Sequence, residues 1–184
     1  MSVARVPLNI FGIGFGLAGL ATAWRVAVRF DLAPHEVSDV LFAIAALAWL
    51  ASCIVYLRYA LSVRGALGRD LRDMTAGPFA SLAFITPVLL AAGGIAPYFQ
   101  VTATVVIDVL VVGIVLLGAW LTSFWMRGGT DIDRLHPGYF LPTVAGGLVA
   151  SAGAAEFGQA LLAEVMLGLG LVCWVIIGPM IVAR

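Results

Sequence analysis

Residues Val101–Met126, VTATVVIDVLVVGIVLLGAWLTSFWM, contain a single charged side chain, that of Asp108, in 26 positions. A helix needs about 20 apolar residues to cross the hydrocarbon core of a bilayer. Five further stretches have the same character, and the six predicted spans are Leu8–Val28, Val37–Leu57, Pro78–Ile95, Val101–Met126, Tyr139–Ala155 and Leu161–Ala183. The sequence therefore predicts an all-α membrane protein, with six transmembrane helices in a single transmembrane domain over residues 1–184.

Composition and charge exclude a water-soluble domain and indicate an orientation. Of the 184 residues, 62% are hydrophobic and 11% are charged, whereas soluble domains carry about 25% charged residues. All ten basic residues are arginines, and only Arg25 and Arg29 fall on the second side when the spans are threaded in order. Because cytoplasmic loops carry the excess of basic residues, we expect a multi-pass protein of the cytoplasmic (inner) membrane, with both termini and the loops containing Arg64 and Arg134 in the cytoplasm.

The six spans pair into three hairpins, and the odd and even spans differ in amino-acid composition. Odd spans begin with proline and aromatic residues and continue with small ones, as in Phe11-Gly12-Ile13-Gly14-Phe15-Gly16. Even spans are rich in leucine, valine and tryptophan. Small residues let helices approach closely, and bulky aliphatic residues suit lipid. We therefore expect odd helices to form part of an inner ring and even helices an outer ring, with tight packing as the alternative role for any single glycine.

Two prolines lie inside odd spans, Pro87 and Pro142. A proline inside a helix removes a backbone donor and leaves one carbonyl without its partner. Within a membrane, such a carbonyl must be satisfied by protein or by water in a cavity. We expect both prolines to bend their helices and to face the interior of the ring.

Acidic residues in or near the spans have structural interpretations that compete with functional ones. Asp108 is predicted to pair with Thr104 or with an arginine of the first span, and proton coupling is the alternative. Asp39 and Glu164 are predicted to stabilise the first turns of the second and sixth helices, where the helix dipole favours negative charge.

The connection after the second span is predicted to continue that helix along the membrane interface. Apolar residues recur every three or four positions between Ala60 and Met74, with Arg64, Arg69 and Arg72 between them. We expect these arginines to contact headgroups of the membrane lipid, and recruitment of anions is the alternative.

Residues for catalysis or metal binding are scarce. Nucleophilic catalysis needs a convergent base, but the two histidines, His35 and His136, lie in loops on opposite sides, and the latter precedes a proline, which favours a turn role as much as a pH-sensitive one. Cys53 and Cys173 lie within spans without ligand-spaced neighbours. The lack of lysine excludes a phosphate-binding loop. We expect no enzyme activity, no cofactor, no metal and no nucleic-acid partner.

Four segments occur in an order and spacing that are typical of one family. They are Phe11–Leu20 (FGIGFGLAGL), Val37–Leu41 (VSDVL), His136–Ala145 (HPGYFLPTVA) and Cys173–Pro179 (CWVIIGP). The chain thereby resembles the tellurite-resistance/dicarboxylate transporter family, which includes bacterial TehA and the slow anion channels of plant guard cells. The resemblance implies ten helices in five hairpins around a central pore, with odd helices inside, and a homotrimer in which each protomer has its own anion pathway.

The resemblance also implies a function and a set of residues for it. We expect an anion channel or carrier that moves small anions, such as dicarboxylate, sulfite, nitrate, chloride or a tellurite-related species. The residues implied to border the conduit are Gly12, Gly14, Gly16, Thr86, Pro87, Pro142 and Thr143. Selectivity would come from helix ends and unpaired backbone donors rather than from an arginine inside an odd helix.

Only the first six of the family's ten helices are present, so we expect a truncated chain. An isolated set of three hairpins would leave one side of its inner ring open. The alternative is a non-transporting membrane subunit or relic module without a conduit.

Overall fold

The computed structural model describes residues 5–129 and 136–183, which form helices and helical turns, with no strand in those ranges. The α-helices are α1 (Phe11–Arg29), α2 (His35–Ser62), α3 (Ala66–Arg72), α4 (Leu82–Leu90), α5 (Gln100–Phe124), α6 (Gly146–Glu156) and α7 (Ala160–Val182). Short 3₁₀ turns cover Leu8–Ile10, Gly77–Ser81 and Pro137–Phe140, and π-helical turns cover Ala91–Ile95, Trp125–Gly129 and Leu141–Ala145. Arg134 and Arg184, which enter the predicted orientation, lie outside the described residues.

Six helical segments are long and apolar enough to cross a membrane, which confirms the predicted six-span all-α membrane fold. We number them spans 1 to 6: Leu8–Arg29, His35–Ser62, Gly77–Ile95, Gln100–Arg127, Pro137–Glu156 and Ala160–Val182. The largest difference from the predicted boundaries is at span 2, which continues to Ser62 rather than ending at Leu57. The protein is thus a multi-pass membrane protein.

Consecutive spans pack as hairpins around span 3. The most extensive contacts join α1 to α2 and α6 to α7, and α4 touches α1, α2, α5 and α6. The α6–α7 contact depends on glycine, since a methyl group at Gly147 would lie 2.8 Å from the Cα of Gly170. At that distance the two backbones could not keep their spacing. Small residues therefore determine how closely these helices approach each other.

Burial separates spans 3 and 5 from the others. In the most apolar 18-residue window of each span, 61% of residues are buried in span 3 and 56% in span 5, against 11–28% in the even spans. Span 1, at 22%, is no more buried than span 2. Two of the three odd spans, which are rich in small residues, are thus the most buried helices. The arrangement in an inner and an outer ring stays a prediction.

The connection between spans 2 and 3 is not the continuous helix that we expected. After α2 ends, Val63 is extended with φ −117° and ψ 106°, and Gly65 has φ +74°, a left-handed conformation that favours glycine. A separate helix, α3, follows for only seven residues. The extended residue and the left-handed glycine redirect the chain and break the helix, and α3 buries Ala66 and Asp70 while Leu67, on the predicted apolar face, is 50% exposed.

Buried carboxylates attach α3 to the beginning of the chain. Asp70 is 2% exposed, and it accepts hydrogen bonds from the Arg5 guanidinium at 3.0 Å and from the Tyr56 hydroxyl at 3.2 Å. Arg5 also pairs with Asp73 at 3.0 Å. Burial opposes ionisation of Asp73, but hydrogen bonds from the backbone N–H of Ala76, from Arg5 and from a further backbone N–H outweigh it and lower its pKa. These ion pairs hold the segment before span 1 against the segment before span 3.

Candidate functional site

The three glycines of span 1 that were implied to border a conduit face two different directions. Because a helix turns about 100° per residue, Gly12 and Gly16 share a face, whereas Gly14 lies about 200° away from Gly12. A methyl group at Gly14 would lie 3.1 Å from the Cα of Trp49, whereas one at Gly12 or Gly16 would meet no described atom within 4 Å. Gly14 therefore serves the contact between α1 and α2, and Gly12 and Gly16 form an open face together with Gly19.

Pro87 in α4 leaves the carbonyl of Ala83 without its usual helical donor, because proline has no N–H. The indole Nε1 of Trp49 donates a hydrogen bond to that carbonyl at 3.1 Å. We expected surrounding protein or cavity water to satisfy this carbonyl, and Trp49 of span 2, an even span, does so. Thr86 beside it is 0% exposed, and its hydroxyl has no hydrogen-bond partner within residues 5–129 and 136–183.

Pro142 lies where span 5 changes from a 3₁₀ turn to a π-helical turn. The carbonyl of Gly138, which would normally accept from position 142, accepts from the N–H of Leu141 instead. Span 4 approaches closely here, since a methyl group at Gly118 would lie 3.0 Å from the carbonyl oxygen of Pro142. Thr143 is 8% exposed, and its hydroxyl has no partner among the described residues.

The seven residues implied by the resemblance do not line one common cavity. Pro142 and Thr143 line a cavity of about 500 Å³ between α5, α6 and α7. Thr86 and Pro87 are buried within the helix contacts around span 3. Gly12 and Gly16 lie on the open face of α1. Within the described residues, these six therefore lie in three places, and Gly14 lies in a fourth, the contact between α1 and α2.

One end of the bundle, here called the Leu8 end, gathers the beginnings of spans 1, 3 and 5. A cavity of about 470 Å³ at this end is lined by Arg5, Asn9, Asp73, His136 and other residues. Helix N-termini carry partial positive charge. The Leu8 end thus combines helix N-termini with Arg5, whose positive charge is paired with Asp70 and Asp73.

His136 has a turn role at this end. Its Nδ1 accepts a hydrogen bond from the backbone N–H of Gly138 at 3.1 Å, so Nε2 carries the proton and donates to the carbonyl of Met74 at 3.1 Å. The ring stacks on Phe79 and meets Tyr139 edge-on. His136 thereby fixes the start of span 5 against the start of span 3.

The opposite end of the bundle, here called the Arg29 end, contains a group of charged residues that sequence reasoning did not place in a candidate site. Two adjoining cavities of about 150 and 180 Å³ share one lining set, which we call the Arg29 cleft: Arg25, Arg29, Ala92, Gly93 and Glu156. These residues come from the last turns of spans 1, 3 and 5. Arg25 lies near the end of α1 with only 15% of its side chain exposed.

Three acidic residues differ in the structure from their predicted roles. Asp39 does not stabilise a first helical turn but accepts hydrogen bonds from Arg25 and from the Tyr98 hydroxyl. Asp108 accepts a hydrogen bond from Gln159 at 2.9 Å, and within residues 5–129 and 136–183 it pairs with neither Thr104 nor an arginine. Glu164 is exposed in the second turn of α7 rather than in its first. For Asp39 and Asp108 the partner depends on side-chain reach between helices, which sequence spacing does not reveal.

Comparisons with known proteins agree with this architecture. The family model described as SLAC1, voltage-dependent anion channel, matches residues 5–184. The tellurite resistance protein TehA homolog of Haemophilus influenzae is 29% identical over 182 residues, which cover 96% of this chain and 54% of that protein. The chain therefore spans about half the length of the curated relative that it matches.

Proposed function

Because the chain belongs to the voltage-dependent anion channel (SLAC1) family, we propose that it takes part in moving small anions across the cytoplasmic membrane. The observation that carries the proposal is the family match, which extends over the whole described part of the chain. Six spans long and apolar enough to cross a bilayer agree with it.

The direction of the odd spans supports anion passage. Consecutive spans run in opposite directions, so spans 1, 3 and 5 are parallel and begin together at the Leu8 end. Their N-termini favour negative charge nearby. We propose that anions enter or leave at this end because of these helix N-termini.

The open face of span 1 supplies the proposed wall of the pathway. No described atom lies within 4 Å of a methyl group placed at Gly12 or Gly16. Thr86, Pro87, Pro142 and Thr143 belong to the two spans that are most buried. We propose that Gly12 and Gly16 border the conduit directly, and that the prolines and threonines shape the helices behind it, with Gly14 holding α1 against α2.

The finer features of the proposal follow the resemblance. The transported species would be a dicarboxylate, sulfite, nitrate, chloride or a tellurite-related anion, and the protein would assemble as a homotrimer in membrane lipid. The Leu8 end would face the cytoplasm with both termini, since the positive-inside rule places most arginines there. Catalysis, a bound cofactor and nucleic-acid binding are not part of the proposed function.

The described residues supply only part of a pore wall. The match covers 54% of the Haemophilus protein, and the open face of span 1 needs a neighbour to enclose a conduit. The competing proposal is a membrane module that transports nothing by itself. The two proposals differ in whether an anion crosses the bilayer.

Anion flux in liposomes separates them. The 184-residue chain and a form continued in frame past Arg184 would each be reconstituted, and efflux of nitrate and chloride measured. Flux in either form supports transport, and absence of flux in both supports the non-transporting module. In a conducting form, replacing Pro142 by alanine should change conductance or selectivity more than Leu116→Ala, because Leu116 is 66% exposed on α5.

A further inference from the structure

The Arg29 end presents an electrostatic problem for any anion. Spans 1, 3 and 5 are parallel and end together around the Arg29 cleft. A helix C-terminus carries the equivalent of about half a negative charge. Glu156 adds a full negative charge to the same cleft. An anion at this end therefore meets repulsion from both the backbone and a side chain unless cationic groups offset it.

Arg25 is one of two cationic groups in the cleft, and its environment fixes its position. Its guanidinium pairs with Asp39 and lies 5.5 Å from the centre of the Phe42 ring. That ring rests on Gly93, where a methyl group would lie 2.0 Å from it. The Nε–H of Arg25 is buried and has no acceptor in the described part of the chain. Arg25 is thus an oriented cation, and its pairing with Asp39 offsets part of its charge.

Arg29 is the second cation, and its partner is exchangeable. It pairs with Glu156 across the cleft, with 55% of the arginine side chain and 38% of the glutamate side chain exposed. Ion pairs at such exposure contribute little net free energy, because water screens them. A carboxylate from solution offers the same oxygen geometry to the guanidinium as Glu156 does. The Glu156 carboxylate therefore occupies the position on Arg29 that a free carboxylate can also take.

We propose that Arg25 and Arg29 form a binding site for a small carboxylate or oxoanion at the Arg29 end, and that Glu156 occupies Arg29 when no such anion is bound. The incoming anion displaces the Glu156 carboxylate and accepts hydrogen bonds from the Arg29 guanidinium, beside the positive charge of Arg25. A guanidinium suits planar oxygen ligands because its N–H groups form a rigid fork. The two cavities, of about 150 and 180 Å³, have room for an anion of a few atoms.

The inference deepens the proposed function and rests on it, but its test does not need transport. The purified 184-residue chain in lipid nanodiscs is treated with phenylglyoxal, which modifies arginine side chains, and the modified positions are quantified by mass spectrometry. Sodium malonate and sodium nitrate serve as probes, with bulkier gluconate keeping the ionic strength constant. We expect both probes to protect Arg25 and Arg29 and to leave Arg58, an exposed arginine at the far end of α2, equally reactive.

The glutamate variant tests the competition. Glu156→Gln should lower the malonate concentration that gives half protection of Arg29 by roughly two- to five-fold, the factor that a partly exposed ion pair allows. Glu164→Gln is the matched control, because Glu164 is exposed on α7, and it should change nothing. Equal protection of Arg58 would show general screening and overturn the site. An unchanged half-protecting concentration in Glu156→Gln would overturn the displacement of Glu156.

Flux measurements distinguish failure of the site from failure of the proposed function. A chain that shows selective protection but transports no anion retains the site and loses the transport proposal. A chain that transports nitrate while Arg25 and Arg29 gain no protection retains transport and loses the site.

Discussion

Trp49 is predicted to stabilise span 3 by replacing the backbone donor that Pro87 removes. Its indole N–H donates to the Ala83 carbonyl at 3.1 Å, the acceptor that an N–H at position 87 would otherwise reach. Trp49→Phe keeps an aromatic ring and deletes that donor. Leaving a buried carbonyl unsatisfied costs about 1–3 kcal/mol, so we expect a loss of that size in the free energy of unfolding.

The Pro87→Ala background separates the hydrogen bond from packing. Alanine at position 87 provides the backbone N–H that the Ala83 carbonyl lacks, so Trp49→Phe should cost at least about 1 kcal/mol less in that background. Any loss of ring packing appears in both backgrounds and cancels in the double-mutant cycle. The coupling therefore reports the replacement of a backbone donor by an indole donor.

Chemical unfolding in detergent micelles would measure the four free energies. Trp120→Phe is the matched control, because Trp120 is 41% exposed and stacks on Phe124 of its own helix, and its cost should be the same with proline or alanine at position 87. Equal costs of Trp49→Phe in the two backgrounds would refute the compensation of Pro87 by Trp49.

Three further predictions concern packing, pH and orientation. Gly147→Ala should cost about 1–3 kcal/mol by overpacking against the backbone of α7, whereas Gly16→Ala should be tolerated; thermal unfolding of both variants checks this. The folded-state pKa of Asp73 is lowered. Its contribution to the free energy of unfolding is therefore present above the usual pKa of 3.8 and is lost as the pH falls through the folded-state value. Measured by acid titration, the free energy of unfolding of Asp73→Asn should therefore depend less on pH in that range. Single cysteines at Arg64 and Phe99, in a background without native cysteines, should be labelled by an impermeant reagent in intact cells only at position 99; labelling at 64 would reverse the topology.

The number of spans was predictable because apolar run length alone determines it. Val101–Met126 was predicted as a span, and Gln100–Arg127 is the span observed. The end of α2 was not predictable, because the helical period continues through Val63 and Gly65, where the backbone leaves the helix. Periodicity describes which face a residue would occupy in a helix, but it does not reveal where the chain turns.

The candidate site was predictable in kind but not in its contacts. Sequence showed that Pro87 needs a substitute donor, but Trp49 lies 34 positions from the carbonyl that it satisfies. The helical period separates Gly14 from Gly12 and Gly16, yet only tertiary packing shows which face meets α2.

The arginines of the Arg29 cleft were visible in the sequence as exceptions. Arg25 and Arg29 are the two basic residues that violate the predicted charge asymmetry, and their spacing of four places both on neighbouring turns of α1. That exception was the available signal. Their cavity could not be predicted, because it forms only where spans 3 and 5 end beside span 1.

Anion efflux from liposomes that contain Gly16→Leu tests most directly whether the open face of span 1 borders the pathway. Gly168→Leu is the matched control, because Gly168 is an exposed glycine of α7 whose added methyl group also meets no described atom within 4 Å. In a conducting form, we predict that Gly16→Leu sharply reduces nitrate efflux while Gly168→Leu leaves it at the unsubstituted level. Equal efflux from the two variants would contradict the assignment of span 1 to the pathway wall.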